Sequence, residues 1–405
     1  MSILPVPRPG QSTPLTGKAY NVDALAVGAE AQPLSLTALT RRPLLGNDVF
    51  VQILYCGVCH SDWHHLQNDW GDSLYPMVPG HEIAGVVAEV GPLVSKVKVG
   101  QAVAIGNMVD SCRHCASCQR GEEQYCLNDG PSWTYNSFER VDPAKGLQRS
   151  LKPTGPPTFG GYSTGIVCHE DFVLRVPDAI ANDLSRVAPL LCAGITMYDP
   201  LKRYQIGKGH KVGIAGIGGL GHLGIKFAKA VGAEVVALTQ TPWKLMDAIS
   251  LGADDAILVT NPDSAGLAKY KDKLDFIIDT IPDPHNPNLY LGLLKPGRGK
   301  LHVVGNMEEF PGLRGYKFVF YGRDITSTNV GGSPTTQEML DFCGEHRILA
   351  DVQTIHPTQI NEAMQAMIDN KVRYRFVIDW TNQASLPQQL PVTPMVPKYT
   401  VEYTK

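Results

Sequence analysis

The chain has 405 residues and a formal net charge of −3, with 43% hydrophobic residues, 19% charged residues and 40 glycines. So even a charge balance gives no electrostatic reason to expect nucleic acid or an anionic membrane as partner, and no apolar run approaches the roughly 20 residues of a membrane span. The length exceeds what one hydrophobic core usually organises, and the composition suits a cytoplasmic enzyme of two domains with many tight turns.

The opening MSILPVPRPG has neither the basic nor the apolar region of a signal peptide, and the first dozen residues read as an extended arm. Short strand-like runs follow at 51–54, 83–90 and 101–105, separated by Gly and Pro turns, which predicts a compact all-β lobe over residues 1–185. Inside it, Cys112, Cys115, Cys118 and Cys126 stand as C-x2-C-x2-C-x7-C. Four thiolates in one short loop make a closed, tetrahedral, structural zinc site. Disulfides are the competing reading, and nine cysteines, an odd number, with no secretory signal argue against it.

From about residue 186 to 344 the pattern changes, and strand-like runs at 211–214, 234–238, 276–279 and 301–304 alternate with helix-period segments such as 220–230. This alternation predicts βαβ units on a parallel sheet. Gly216-Ile217-Gly218-Gly219-Leu220-Gly221 sits between the first of these strands and a helix with Leu223, Phe227 and Val231 on its apolar face. In that context G-x-G-x-x-G provides the tight turn and close backbone approach that a dinucleotide pyrophosphate needs at a helix N-terminus. The next strand ends in Thr239-Gln240-Thr241 with Lys244 beyond. There is no carboxylate for the ribose hydroxyls, and hydroxyl donors plus a cation favour NADP(H) over NAD(H). Helices are expected at 335–342 and 359–370 and a closing strand at 372–380, and the segment 345–405 is expected to return to the first lobe and to end in a proline-rich arm from Asn382.

Cys59 in Gly57-Val58-Cys59-His60-Ser61-Asp62, His81 and Glu82 in Pro79-Gly80-His81-Glu82, and Cys192 in Leu190-Leu191-Cys192-Ala193-Gly194-Ile195-Thr196 would each, alone, fit a buried cysteine or core histidine. Together with the run Gly80-His81-Glu82-x2-Gly85-x5-Gly91-x2-Val94, the four-cysteine lobe and the glycine turn, they resemble the zinc-containing medium-chain dehydrogenases/reductases. The segments 55–62, Trp133-Thr134-Tyr135-Asn136, Gly160-Gly161-Tyr162, 190–196 and 372–379 resemble the cinnamyl-alcohol dehydrogenase branch, and the likeness spans roughly residues 15 to 380.

The resemblance implies an α/β protein built of a GroES-like β domain and a Rossmann domain with a doubly wound parallel sheet, the active site lying in the cleft. It also implies that Cys59, His81 and Cys192 hold a catalytic zinc with one position left open. Glu82 would reach the metal when that position is empty, and Asp62 would accept from the free ring nitrogen of His81. A proton would travel from substrate oxygen through the Ser61 hydroxyl and a ribose hydroxyl to His64, with His65 a competitor. His60 would meet the pyrophosphate, Thr196 the nicotinamide, and Trp63 and Trp133 an apolar substrate pocket. Cys56, Cys168 and Cys343 fall outside both metal sets and read as structural thiols.

The expected activity is a zinc-dependent, NADP(H)-preferring alcohol dehydrogenase or aldehyde reductase for aromatic or medium-chain substrates, with two zinc ions per subunit, assembled as a homodimer or homotetramer. The alternatives are conjugate reduction of an unsaturated carbonyl and a non-catalytic nucleotide-binding zinc protein. The relay Ser61–His64 beside an open metal position argues against the second of these.

Overall fold

The computed structural model describes residues 18–142, 148–260, 265–305 and 312–382. The amino-terminal arm and the proline-rich stretch after Asn382 lie outside the described residues. The chain divides into two compact units: residues 1–192, 332–344 and 352–405 form one, and residues 193–331 and 345–351 the other. The observed boundaries therefore differ from the expected 185/186 and 344/345. The helical turns Leu184–Val187 and Ala188–Leu191 before Cys192 belong to the first unit, and so does most of the helix Ser333–His346, which the expected boundary at 344/345 places in the second.

The first unit is organised by a seven-stranded sheet. Its long strand Asp48–Gly57 pairs antiparallel with Ile83–Val90, Arg375–Asp379 and Gly165–His169. Val49, Val51 and Ile53 alternate inward on this strand and meet Ile83, Val87, Val103, Ile105, Ile378 and Trp380 in one buried core. The lobe is not purely β. A helix, His60–Leu66, follows directly on the central strand, with the Asp62 carboxylate accepting from the Cys59 backbone N–H at 3.0 Å. Seven residues are too few for a 3.6-residue periodicity to register, so this helix was not legible as an amphipathic pattern.

Among the described residues the second unit carries one six-stranded sheet, every neighbouring pair parallel, in the order Asp255–Leu258, Glu234–Thr239, Lys211–Ala215, Phe276–Asp279, Lys300–Val303, Asp324–Ser327. In chain order this is 3-2-1-4-5-6, the doubly wound nucleotide-binding arrangement. Inner strands read as continuous apolar runs, Val235–Leu238 and Phe276–Ile278 among them, because helices cover both faces. The chain reverses direction across the sheet beside Lys211–Ala215, and the glycine turn leaves the C-terminal end of that strand. Gly216 has φ +86°, and a Cβ there would lie 2.7 Å from the Thr280 hydroxyl oxygen, so only glycine makes this corner without strain.

His302 is fully buried in this unit, its ring nitrogens 3.0 and 3.1 Å from the hydroxyls of Thr326 and Thr328 and its face stacked on Phe276. Burial, reinforced by Arg203, lowers its pKa to about 4. The folded state therefore resists protonation that the unfolded chain accepts below about 6.5. The stabilisation is fully present above pH 6.5 and is lost as pH falls through 4, about 3 kcal/mol in all. Denaturant unfolding at pH 7 and pH 4 should show that difference reduced in His302→Gln, and an unchanged pH dependence would count against this role.

Cys56, Cys168 and Cys343 are buried thiols, each pushed up by burial. Among the described residues no helix is long and apolar enough to cross a membrane.

Candidate active site and metal centres

Antiparallel pairing assembles the first cluster. Cys56 lies opposite Ile83, so the end of the strand Asp48–Gly57 and the beginning of Ile83–Val90 are adjacent, and the Gly57 N–H donates to the Glu82 carbonyl at 2.9 Å. Cys59 is thereby delivered beside His81 and Glu82, although 22 positions separate Cys59 from His81 in the sequence. A Cβ on Gly57 would strike the Glu82 carboxylate, which explains the glycine. Cys192 arrives at the end of the 3-10 turn Ala188–Leu191, anchored by Asn107 donating to the Leu191 carbonyl at 3.1 Å.

The ligand atoms of Cys59, His81, Glu82 and Cys192 all lie within 4.8 Å of one another, and all four residues are buried. The two sulfurs are 4.0 Å apart, close to the edge of about 3.8 Å expected for a tetrahedron with Zn–S bonds of about 2.3 Å. His81 Nδ1 is 3.1 Å from Asp62 Oδ1, whereas its Nε2 is buried with no hydrogen-bond partner among the described residues. An orphaned imidazole nitrogen facing two thiols is expensive unless a cation occupies the space between them. The donor set therefore fits zinc.

Asp62 supports the cluster from behind. One carboxylate oxygen accepts from the Gly80 N–H at 3.0 Å as well as from His81, and the other accepts from Cys59 N–H and the Tyr162 hydroxyl, each at 3.0 Å. This fixes the His81 tautomer and ring plane. The hydrogen bond with Cys192 holds Cys59 well below the usual thiol range, against burial, and the same bond together with burial pushes Cys192 well above it. The pair thus shares a proton that a divalent cation would displace. Burial raises Glu82 to about 8 although Arg375 opposes it, the Arg375 guanidinium lying 3.5 Å from the carboxylate. Arg375 was not singled out in the sequence. Its strand register beside Gly57 places it here, through Val58 N–H donating to the Phe376 carbonyl at 2.9 Å.

Ser61 Oγ is 3.8 Å from Cys59 Sγ. His64 lies half-buried with Nδ1 2.8 Å from Asp69 Oδ2 and its ring stacked on Trp70. His65 differs: Nδ1 is 2.8 Å from the hydroxyl of buried Tyr135, whose ring also stacks on His81, and burial lowers the His65 pKa. A group that must exchange protons with water fits His64 better than His65. His60 is half-buried as the first residue of the helix His60–Leu66. Trp63 is 3% exposed and packed into the core, whereas Trp133 is only partly buried, so the aromatic surface expected of both residues is available on Trp133 alone.

The second cluster is the loop of Cys112, Cys115, Cys118 and Cys126, whose sulfurs also lie within 4.8 Å of one another. Cys112 and Cys118 are 3.8 Å apart and Cys115 and Cys118 3.5 Å, too far for disulfides and right for one tetrahedral ion. Backbone N–H groups of Cys115 and Leu127 donate to Cys112 and Cys115 sulfurs, each at 3.3 Å. The guanidinium of fully buried Arg140 reaches Cys126 Sγ at 3.8 Å and donates to the carbonyls of Asn128 and Gly130. These donors offset the negative charge that four thiolates keep around a divalent ion.

In the second unit, Leu220 caps the helix Gly221–Ala230, which begins at the end of the glycine turn. Thr239 closes its strand, buried, and accepts from the Thr241 N–H at 3.2 Å, while Gln240 is exposed. Lys244 begins the helix Lys244–Ser250 with its ammonium 5.2 Å from the Trp243 ring centre. No Asp or Glu stands at the end of this strand. Thr196 is buried in the helix Ala193–Arg203.

Residues 46–178 match the alcohol dehydrogenase GroES-like domain family, and residues 219–345 match the zinc-binding dehydrogenase family. An NADP-dependent alcohol dehydrogenase C 1 of Mycolicibacterium smegmatis is 43% identical over 358 residues, 88% of this chain and 97% of the relative. The aldehyde reductase YahK of Escherichia coli is 45% identical over 359 residues, 87% of this chain and 97% of the relative. A solved cinnamyl alcohol dehydrogenase of Sorghum bicolor superposes with a TM-score of 0.81 at 39% identity, covering 89% of this chain and 98% of its own.

Proposed function

Because the chain belongs to the zinc-containing medium-chain dehydrogenases/reductases, in the cinnamyl-alcohol-dehydrogenase-like branch, we propose that its two cysteine clusters and glycine turn serve one reaction. That reaction is NADP(H)-dependent interconversion of an aldehyde and an alcohol, with aromatic and medium-chain aldehydes as the substrate class. The observation that carries it is the buried, unpartnered His81 Nε2 facing the Cys59 and Cys192 sulfurs.

Cys59, His81 and Cys192 would hold the catalytic zinc and the four-cysteine loop the structural one, while the turn from Gly216 to Gly221 takes the coenzyme. When bound, zinc polarises the substrate oxygen as a Lewis acid and the nicotinamide supplies or accepts the hydride. Asp62 fixes the neutral His81 ring with its proton on Nδ1, so that the Nε2 lone pair is aimed at the metal position. Glu82, buried beside the ligands with the Arg375 guanidinium 3.5 Å away, is placed to approach the same position. The Ser61 hydroxyl and then His64 carry the proton between substrate and water, with Asp69 orienting the His64 ring. Trp133 supplies apolar surface for the substrate. Thr239, Gln240, Thr241 and Lys244 would hold the coenzyme 2′-phosphate, Lys244 supplying the charge. By the family resemblance His60 would meet the coenzyme pyrophosphate and Thr196 the nicotinamide.

For assembly we propose a homodimer or homotetramer. The six-stranded sheet ends in the edge strand Asp324–Ser327, and the neighbouring Val319 and Phe320 are 81% and 82% exposed, an apolar surface suited to a second copy. Sedimentation of the full chain reads this directly.

Initial rates with NADPH and NADH on cinnamaldehyde, benzaldehyde and hexanal, with product identification, test the activity. The expected result is the alcohol, formed faster with NADPH. Lys244→Ala should raise the KM for NADPH about tenfold, the loss of one charge-assisted contact, and leave that for NADH nearly unchanged. A saturated aldehyde from cinnamaldehyde would replace this reading with conjugate reduction, and equal effects of Lys244→Ala on both coenzymes would remove Lys244 from the phosphate site.

A further inference from the structure

His222 lies in the first turn of the helix Gly221–Ala230, immediately after the glycine turn, and its side chain is fully buried. Both ring nitrogens are engaged. Nε2 accepts from the backbone N–H of Asp351 at 3.2 Å, so in the neutral ring the proton sits on Nδ1, which donates to the Gly218 carbonyl at 3.1 Å. The same carbonyl oxygen accepts from the His222 backbone N–H, also at 3.1 Å.

Those two bonds on one oxygen have a consequence on the other side of the peptide. In a trans peptide unit the C=O and the following N–H point in opposite directions. With the Gly218 carbonyl held inward along the helix by two donors, the Gly219 N–H is turned outward from the helix N-terminus, the direction from which an anion approaches. Neither Gly218 nor Gly219 has a side chain to restrain this plane, and glycine peptides rotate readily. The imidazole supplies the restraint, and it is itself braced: Asp351 fixes its far nitrogen, and Lys226, one turn along the helix, ties to the same segment through the Leu349 carbonyl at 2.9 Å and the Asp351 carboxylate at 3.0 Å.

We propose that His222 is a positioning residue for the coenzyme pyrophosphate. It locks the Gly218–Gly219 peptide so that the Gly219 N–H is preorganised to donate to a pyrophosphate oxygen. The inference rests on the reading of this turn as the NADP(H) site. The cost of ordering the loop is then met during folding instead of at each binding event.

The test compares two ligands of one site in the purified, zinc-replete enzyme: NADPH, and adenosine 2′-monophosphate, which carries the adenosine and 2′-phosphate and has no pyrophosphate. In His222→Ala the dissociation constant for NADPH should rise about tenfold, the worth of roughly one charge-assisted hydrogen bond. That for adenosine 2′-monophosphate should stay within about twofold, and the KM for aldehyde should not move. His222→Asn, whose amide N–H can replace the Nδ1 donor, should recover much of the NADPH affinity, which a purely space-filling role would not produce. Equal weakening of both ligands, or unchanged NADPH binding, would overturn the proposal. Wild-type enzyme that binds neither ligand would instead overturn the coenzyme reading beneath it.

Discussion

His81→Ala should lower kcat/KM for aldehyde reduction by at least about a thousandfold, about 4 kcal/mol, within the several kcal/mol that a metal Lewis acid contributes to such a transition state. The imidazole Nε2 is the one nitrogen in a set otherwise made of two thiols and a buried carboxylate. With alanine in its place the set keeps sulfur ligands 4.0 Å apart but loses the donor that Asp62 orients. Zinc content should fall from two ions per subunit to about one, and the dissociation constant for NADPH should stay near the wild-type value, because the glycine turn belongs to the other unit. The substitution also leaves the Asp62 carboxylate short of a buried partner, which costs stability by itself. Cys192→Ala leaves Asp62 satisfied and should give the same loss of turnover and the same zinc count. Turnover within tenfold of wild type in either folded variant would sink the assignment of the catalytic ligands.

Cys115→Ser is expected to act on stability before it acts on chemistry. Four thiolates around one ion bind it with free energy that is also folding energy, because the unfolded loop has no preformed site. Weakening one corner should lower the melting temperature by about 10 °C or more, given the few degrees that each kcal/mol moves in a protein of this size. Zinc analysis should lose the ion of the loop, and the soluble fraction should keep kcat within about threefold. Cys115 is the one member of the set that is not fully buried, and the backbone N–H of Leu127 already donates to its sulfur. A serine therefore fits without steric cost, and the loss reports the metal bond. A variant of wild-type melting temperature that had lost only hydride transfer would make the structural label wrong.

Much of this site could be read in the sequence, for reasons that differ from residue to residue. The four cysteines declare themselves because their ligand geometry is local: three residues of spacing are enough to bring two sulfurs of the loop to one ion. The glycine turn is equally local, since the strand, the corner and the helix are consecutive. Cys59, His81 and Cys192 are separated by long stretches of chain, and only antiparallel pairing of Cys56 with Ile83 brings the first two together, so spacing alone left them as ordinary core residues until the resemblance joined them. Arg375 and Tyr135 fall in segments that carry the resemblance, yet neither takes a role from the sequence, for the same reason. One reaches Glu82 through a strand register, the other reaches His65 and His81 from a loop, and neither carries a short-range signal. Trp63 shows the opposite failure: an aromatic residue in a suggestive position proves to be core. His222 was passed over because a histidine after a glycine turn has no distinctive spacing, and its meaning lies in the two backbone groups that it connects.

All the residues assigned to the two metal centres, Cys192 included, fall within the first unit, and the second begins at the next residue, Ala193. Metal chemistry and coenzyme choice are thus written in separate stretches of the gene product. Substitutions accumulating between 193 and 331 can retune which dinucleotide is used without touching a zinc ligand, and drift in the β unit can reshape the substrate range under an unchanged electron donor. Recombination near position 192 would keep the metal ligands together but part them from the closing strand Arg375–Asp379 of their own sheet, so an exchange that spares the first unit must be confined to the stretch 193–331.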